Sequence, residues 1–179
     1  MSLIILDRDG VINHDSGDYI KSPAEWKPIE GSLEAIARLN YAGYRVIIIT
    51  NQSAITRGLL DVETLNHIHS KMRRMLAQVG GKIEAILFCP HGPKDECLCR
   101  KPQDGSFAEL AHRLRITLKD VPAVGDSLKD ILAAQAAGAT PILVRTGKGE
   151  KMLAKGIPEG VAVYDDLAAV VDALLDPTI

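Results

Sequence analysis

Aromatic side chains are scarce in this chain: two Phe, one Trp and four Tyr make up 4% of its 179 residues. So few flat rings leave little on which nucleic-acid bases could stack. Positive charge is not in excess either. Lys and Arg number 21 against 23 Asp and Glu, a net charge of −2, so no broad positive field faces nucleic acid or an anionic membrane. Long apolar runs are missing as well. The first, Ser2-Leu3-Ile4-Ile5-Leu6, stops at Asp7 and is too short for a signal-peptide core. No run approaches the ~20 residues of a membrane span. Cysteines number three, an odd count without an export signal, which argues against a disulfide framework. These absences lead us to expect a cytoplasmic protein without nucleic-acid or membrane partners, and we also expect a monomer.

The remaining composition, 46% hydrophobic and 25% charged, is that of an ordinary globular protein. A chain of 179 residues is read as one domain, 1–179. Short β-branched runs at Leu3–Leu6, Arg45–Ile49, Ile83–Phe88, Val121–Val124, Thr140–Val144 and Val161–Tyr164 predict strands. Between them, helices are predicted over Ser32–Ala42, Asp61–Val79, Ser106–Leu114, Ser127–Ala137 and Asp166–Leu175. Gly43, Gly80 and Gly138 stand where the chain must leave a helix. Ser106-x-x-Glu109 and Ser127-x-x-Asp130 have the spacing of capping boxes. Alternating strands and helices with short connections imply βαβ units and a mostly parallel sheet, an α/β sandwich of three layers. Two irregular stretches, Gly10–Glu30 and Cys89–Gly105, are long enough to suggest function.

In such a sheet, ligands bind beyond the carboxyl ends of the strands. Asp7-Arg8-Asp9-Gly10 follows the first predicted strand and Thr50-Asn51-Gln52-Ser53 the second. The third leads through Cys89-Pro90-His91 to Arg100-Lys101-Pro102, and the fourth to Gly125-Asp126-Ser127. This set suits phosphoryl transfer. Asp7, Asp9 and Asp126 repel one another unless a cation joins them, and Mg²⁺ favours one or two carboxylates plus phosphate oxygens and waters. One carboxylate can attack phosphorus, splitting a slow hydrolysis into two easier steps. The other can protonate the leaving alcohol and then activate water. Thr50 and Lys101 would hold the phosphoryl oxygens as charge develops. A single Asp-x-Asp would more readily be a solvated acidic loop. The ordered set, each member behind a strand, is far more specific. Asp130 is read mainly as a helix cap with a possible supporting part in metal binding.

From Leu6-Asp7-Arg8-Asp9-Gly10-Val11-Ile12-Asn13 to Val144-Arg145-Thr146-Gly147, the chain resembles the haloacid dehalogenase superfamily of aspartate-nucleophile phosphohydrolases. Within it, the likeness is to the group that holds heptose-bisphosphate and histidinol-phosphate phosphatases. The resemblance implies a Rossmann-like three-layer fold without a separate cap domain. It makes Asp7 the nucleophile, Asp9 the general acid/base, and Thr50 and Lys101 the phosphate binders. Asn51, Gln52 and Ser53 would complete the substrate loop. Asp7, the backbone carbonyl of Asp9, and Asp126 would ligate Mg²⁺. The family segment Thr-Asn-Gln-Ser-Gly ends here in Ala54.

The cysteines belong to the same comparison. Cys89-x-His91 and Cys97-x-Cys99 each place two side chains on one face of an extended segment. The residues between, Gly92 to Glu96, can turn the chain back. Three Cys and one His make a closed tetrahedral zinc set, and a closed set is structural. The alternative is a loop of free thiols. Zinc there would fix Arg100 and Lys101.

Arg57 and Arg100 are candidates for a second phosphate, although either also reads as ordinary surface charge. His14, His67, His69 and His112 share no ligand spacing and read as surface or helix residues. Trp26 reads as loop packing rather than a sugar platform. The expected function is removal of the 7-phosphate from a heptose 1,7-bisphosphate in lipopolysaccharide precursor synthesis, with histidinol phosphate as the alternative substrate. Remoter rivals are a signalling receiver module, which lacks an Asp at Phe88-Cys89, and a zinc module for nucleic acid, which the charge disfavours.

Overall fold

The computed structural model describes residues 2–176. Strands β1 (Ser2–Leu6), β2 (Tyr44–Asn51), β3 (Ala85–Cys89), β4 (Pro122–Gly125), β5 (Thr140–Val144) and β6 (Ala162–Tyr164) form one sheet. They alternate with helices α1 (Ser32–Tyr41), α2 (Val62–Gln78), α3 (Gly105–Leu114), α4 (Leu128–Ala136), α5 (Gly149–Lys155) and α6 (Leu167–Leu175). Strand order is β3-β2-β1-β4-β5-β6, and every described pair is parallel rather than mostly so. The chain runs outward from β1 to β3, then returns to place β4 on the other side of β1. That reversal leaves a crevice beyond the carboxyl ends of β1 and β4.

Period-two alternation in the sequence divides the core into two layers. Ile4 and Leu6 of β1, with Val46 and Ile48 of β2, face one cluster; Leu3, Ile5, Ile47 and Ile49 face the other. Helices α1, α2 and α6 cover the first face with Ile36, Leu39, Leu65, Ile68, Val170 and their neighbours. Helices α3 and α4 cover the second with Phe107, Leu110, Ala133 and Ala134. Fully burying each such Leu or Ile stabilises the fold by roughly 1.5–3 kcal/mol, so both layers hold the sheet edges in fixed register.

The predicted strands and helices are all present, with ends matching or shifted by one or two residues. Gly43, Gly80 and Gly138 leave their helices at φ of 87, 81 and 78°. One capping expectation is corrected: α3 starts at Gly105 behind Asp104, and Ser106 lies inside it. Its hydroxyl donates instead to the Cys99 carbonyl at 3.0 Å, which ties α3 to the cysteine loop. At α4, Ser127 does take the cap position and its amide donates to Asp130 Oδ2 at 3.0 Å. Helix α5 was not expected from the sequence. It is short, starts at a glycine, and carries only Met152 and Leu153 as large apolar residues. Trp26 is fully buried in the first core layer, as loop packing requires.

The connection 7–31 between β1 and α1 holds one 3₁₀ turn, Pro23–Glu25, and the connection 52–61 between β2 and α2 holds no helix or strand. Neither forms a cap over the sheet edge. The edge stays open, rimmed by loops.

Candidate active site

Asp7 is the first residue beyond β1, and its amide donates to the Val124 carbonyl of β4 at 2.9 Å. The ladder thus carries its carboxylate to the crevice. Lys101 arrives from the other side of the sheet. Asn51, at the end of β2, clasps its backbone: the Asn51 side-chain amide donates to Lys101 O at 3.1 Å, and Lys101 N donates to Asn51 Oδ1 at 3.0 Å. The ammonium is buried and meets Asp130 Oδ1 at 2.6 Å, Asp7 Oδ1 at 3.1 Å and the Ile49 carbonyl at 2.9 Å. Those three acceptors match its three protons. Burial alone would discharge this lysine, but Asp130 and Asp7 hold its pKa above the usual range.

Asp7, Asp126 and Asp130 each offer an oxygen, and the three oxygens lie within 4.8 Å of one another. Burial raises the Asp7 pKa, with Lys101 opposing it and Asp130 and Asp9 adding to it. Burial also raises Asp126, with Asp130 and Asp7 adding to it. Asp130 differs: its burial is outweighed by Lys101 and Ser127, which hold it ionised. One buried ammonium among three carboxylates leaves negative charge that a divalent cation would neutralise.

The backbone also shapes this corner for a small, rigid carboxylate. Gly10 and Gly147, at φ +83 and +60°, flank Asp126, and a Cβ on either would collide with its Oδ2. The Lys148 amide donates to that same oxygen at 2.8 Å. Thr146 Oγ1 donates to Gly10 O at 2.7 Å, joining the two glycine loops.

Asp9 is held differently. Arg8, fully buried, places Nε and Nη2 on Asp9 Oδ1 at 3.0 and 2.8 Å, and Nη2 also reaches Oδ2 at 3.1 Å. Asn13 Nδ2 donates to Oδ1 at 2.9 Å and Gln52 Nε2 to Oδ2 at 3.1 Å. Burial would raise its pKa, but Arg8, Asn13 and Gln52 outweigh that and hold the carboxyl below its usual range. Gln52 Nε2 also meets Thr50 Oγ1 at 3.0 Å within its own segment, so Gln52 joins the Thr50 and Asp9 loops through its contacts to both.

Asp7, Asp9, Thr50, Asn51, Gln52, Lys101, Asp126 and Asp130 line a cleft of about 310 Å³ that also takes in Ser53, Arg57 and Arg100, as expected, and Asp15, Tyr19, Lys129 and Lys148, which were not. Arg57 lies over the Tyr19 ring, 5.9 Å from its centroid. Arg100 donates to the His91 carbonyl at 3.1 Å. Lys148 lies 3.4 Å from Asp15 across the mouth.

At the end of β3, Cys89 Sγ is 3.6 Å from His91 Nδ1 and 3.8 Å from Cys97 Sγ, while His91 Nδ1 is 3.3 Å from Cys99 Sγ. All four ligand atoms lie within 4.8 Å of one another, the convergence a tetrahedral ion needs.

The site residues expected from the sequence come together in two groups, the cleft and the cysteine loop. Asp130 was expected as a cap; it is that, and it is also the tightest partner of Lys101. The i, i+4 spacing of Asp126 and Asp130 across a helix start carried that signal. Lys148 follows β5, where the strand-end rule that found the other loops would have found it too. His14, His67 and His112 are exposed, but His69 is buried.

A family model described as HAD-hydrolase-like matches residues 98–170. A D-glycero-β-D-manno-heptose-1,7-bisphosphate 7-phosphatase of Bordetella bronchiseptica is 57% identical, with 98% of each chain covered. The enzyme of that name from Pseudomonas aeruginosa is 51% identical over 97% of this chain and 98% of its own. Among solved structures, the D,D-heptose 1,7-bisphosphate phosphatase of B. bronchiseptica, complexed with magnesium and phosphate, superposes with a TM-score of 0.96 at 57% identity and 98% coverage of each chain. The Burkholderia thailandensis phosphatase superposes with a TM-score of 0.78 at 49% identity, covering 98% of this chain and 100% of that one.

Proposed function

The chain belongs to the HAD-like phosphatase family that contains these heptose-bisphosphate enzymes, and on that premise we propose that it removes the 7-phosphate from D-glycero-β-D-manno-heptose 1,7-bisphosphate. The observation that carries the reading is the buried Lys101 ammonium set between Asp7 and Asp130, with Asp126 beside them and Asp9 at the next loop position. A carboxylate nucleophile, a phosphoryl clamp and a proton-transfer group then share one crevice.

Asp7 attacks phosphorus, and the bond from phosphorus to the sugar oxygen breaks. Lys101 and Thr50 hold the phosphoryl oxygens as charge builds on them. Asp9 gives its proton to the departing sugar alkoxide. It then takes a proton from the water that attacks the aspartyl phosphate, and the bond to Asp7 breaks to release phosphate. In the free site Arg8, Asn13 and Gln52 keep Asp9 ionised. An incoming phosphate dianion opposes that charge and favours the protonated acid when substrate is present. Arg57 and Arg100 receive the 1-phosphate, since guanidinium forks suit phosphate oxygens.

Asp7, the Asp9 carbonyl and Asp126 are suited to hold Mg²⁺, as the mutually destabilised carboxylates and the glycine cradle around Asp126 suggest. Bound there, the ion supplies charge neutralisation for phosphate beside carboxylate. Zinc on Cys89, His91, Cys97 and Cys99 is structural in this reading and stiffens the loop that presents Arg100 and Lys101. The chain acts as one domain over 1–179, as a cytoplasmic monomer in lipopolysaccharide precursor synthesis, with no nucleic-acid partner. No described helix is long and apolar enough to cross a membrane.

Phosphate release from a panel tests this: both heptose bisphosphate anomers, the two heptose monophosphates and histidinol phosphate. The β-bisphosphate is expected to give the highest kcat/KM. Preference for histidinol phosphate would overturn the substrate assignment, and no release from any member would overturn the reaction.

A further inference from the structure

His69 takes no part in the reaction as described, yet it is a buried titratable side chain close to it. It lies on the inward face of α2 beside Leu65, Ile68 and Met72, with 7% of its surface exposed. Its Nε2 is 3.1 Å from Arg8 Nη1, a contact spanning 61 residues of sequence. A guanidinium has donors only. Nε2 must therefore be the acceptor, and the ring proton sits on Nδ1. Burial and then the Arg8 charge push the His69 pKa down to about 3, so the ring stays neutral and keeps its lone pair.

Arg8 is thereby gripped at both ends. Nε and Nη2 bind Asp9, and Nη1 binds His69. Arg8 itself is fully buried, so no water replaces a lost partner. Without His69, Nη1 of a buried guanidinium loses its one partner, which the fork can relieve only by turning. Turning moves the two donors that set the Asp9 carboxylate.

We infer that His69, through Arg8, is a positioning residue for the proton-transfer carboxylate of Asp9. The inference rests on the proposed reaction, in which Asp9 moves the proton. Helix α2 then does more than cover the sheet: through Arg8 it fixes the direction of a carboxylate in the loop beyond β1.

The test compares His69→Leu, which keeps bulk and loses the acceptor, with His69→Gln, which keeps an acceptor oxygen. Because misplacing a reacting group by ~1 Å can cost ~10²-fold, His69→Leu is expected to lower kcat by about tenfold to 10²-fold, with KM within about twofold. His69→Gln is expected to recover most of kcat. Nitrogen NMR of the imidazole in the wild-type protein should show a neutral ring protonated on Nδ1. Full kcat in His69→Leu, even with a lowered Tm, would overturn the inference and leave His69 as packing. A wild-type ring protonated on Nε2 would overturn it independently. If His69→Leu fails to fold, the kcat of His69→Gln and the ring tautomer decide: near-normal kcat with Nδ1 protonated supports the inference, and a kcat loss in His69→Gln beyond tenfold refutes it. A wild-type protein inactive on the whole panel refutes the proposed reaction instead, and is read from the wild type alone.

Discussion

Replacing Lys101 by Met removes one charge from a buried set and keeps most of its volume. The ammonium has three acceptors, Asp130 Oδ1, Asp7 Oδ1 and the Ile49 carbonyl. The two carboxylates are shielded, with side chains 9% and 13% exposed. Removing one partner of a buried ion pair typically costs about 3–5 kcal/mol, because the other charge stays behind. Asp130 has a second source of support in the Ser127 amide and hydroxyl, at 3.0 and 2.7 Å. That places the expected loss near the low end, about 3 kcal/mol at pH 8. For a chain of this size, about 2–4 °C per kcal/mol makes that a fall in Tm of roughly 6–12 °C.

The pH dependence is the sharper test. In the wild-type protein Lys101 and Ser127 hold the Asp130 pKa below its unfolded value, so Asp130 adds stability above about pH 4 that is lost as pH falls. Without Lys101, burial dominates and the folded pKa lies above the unfolded one. The variant is then penalised increasingly as pH rises from about 4 toward that raised value. Across about pH 5–8 the wild-type contribution is constant, and the variant's growing penalty opens the gap between the two proteins as pH rises. Urea unfolding in Mg²⁺-free buffer should give a difference that shrinks from pH 8 to pH 5, by at most about 1.4 kcal/mol per pH unit for one proton. A difference that is constant, or that widens toward pH 5, would refute the assignment of Lys101 as the charge holding Asp130 ionised.

Asp7→Asn is expected to retain the fold and lose turnover, because an amide forms no acyl phosphate; burst and steady-state phosphate release check it, and near-normal kcat would exclude Asp7 as nucleophile. Asp9→Asn should reduce kcat by roughly 10²–10⁴-fold through loss of proton transfer, and activity within about twofold of wild type would remove Asp9 from that role. Elemental analysis of protein from metal-replete medium should give near one zinc per chain that survives dialysis against a weak Mg²⁺ chelator; protein without zinc defeats the assignment to Cys89, His91, Cys97 and Cys99. Arg57→Ala and Arg100→Ala should each shrink the kcat/KM preference for bisphosphate over monophosphate, and an undiminished preference in both would place the second phosphate elsewhere in the cleft.

The strands were legible because a buried parallel strand must be apolar on both faces, as Ile4 to Leu6 and Val46 to Ile49 are. The catalytic loops were legible because a strand end fixes where its next residues lie. Asp7, Thr50 and Asp126 therefore needed no knowledge of side-chain contacts, whereas Lys101, twelve residues past β3, was reached only through the cysteine loop and the family resemblance. Ser106 misled because a capping box is a local pattern, and the 2.9 Å bond from Gly105 N to the Leu98 carbonyl starts α3 one residue earlier. Helix α5 was invisible because seven residues give a helical period too little length to show itself.

What stayed hidden in the site has one physical origin. The role of Lys148 is set by its backbone amide on Asp126, 22 residues away, and that of His69 by a ring nitrogen on Arg8, 61 residues away. The strand-end rule brings Lys148 to the site but does not show which group its amide meets, and nothing in composition or spacing marks the His69 contact. Only the fold reveals that an arginine between two aspartates turns inward, away from the phosphate site, to meet a helix. Sequence alone assigns Arg8 no role of its own. In the structure it is fully buried, its charge spent on Asp9 and its Nη1 on His69. Positive charge for a second phosphate has to come from the cleft rim instead, from Arg57 and Arg100, with Lys129 and Lys148 beside them. Under the proposed reaction the rim selects the phosphate ester while Arg8 and His69 position the proton-transfer group, so substitutions in the two groups should separate in KM and kcat.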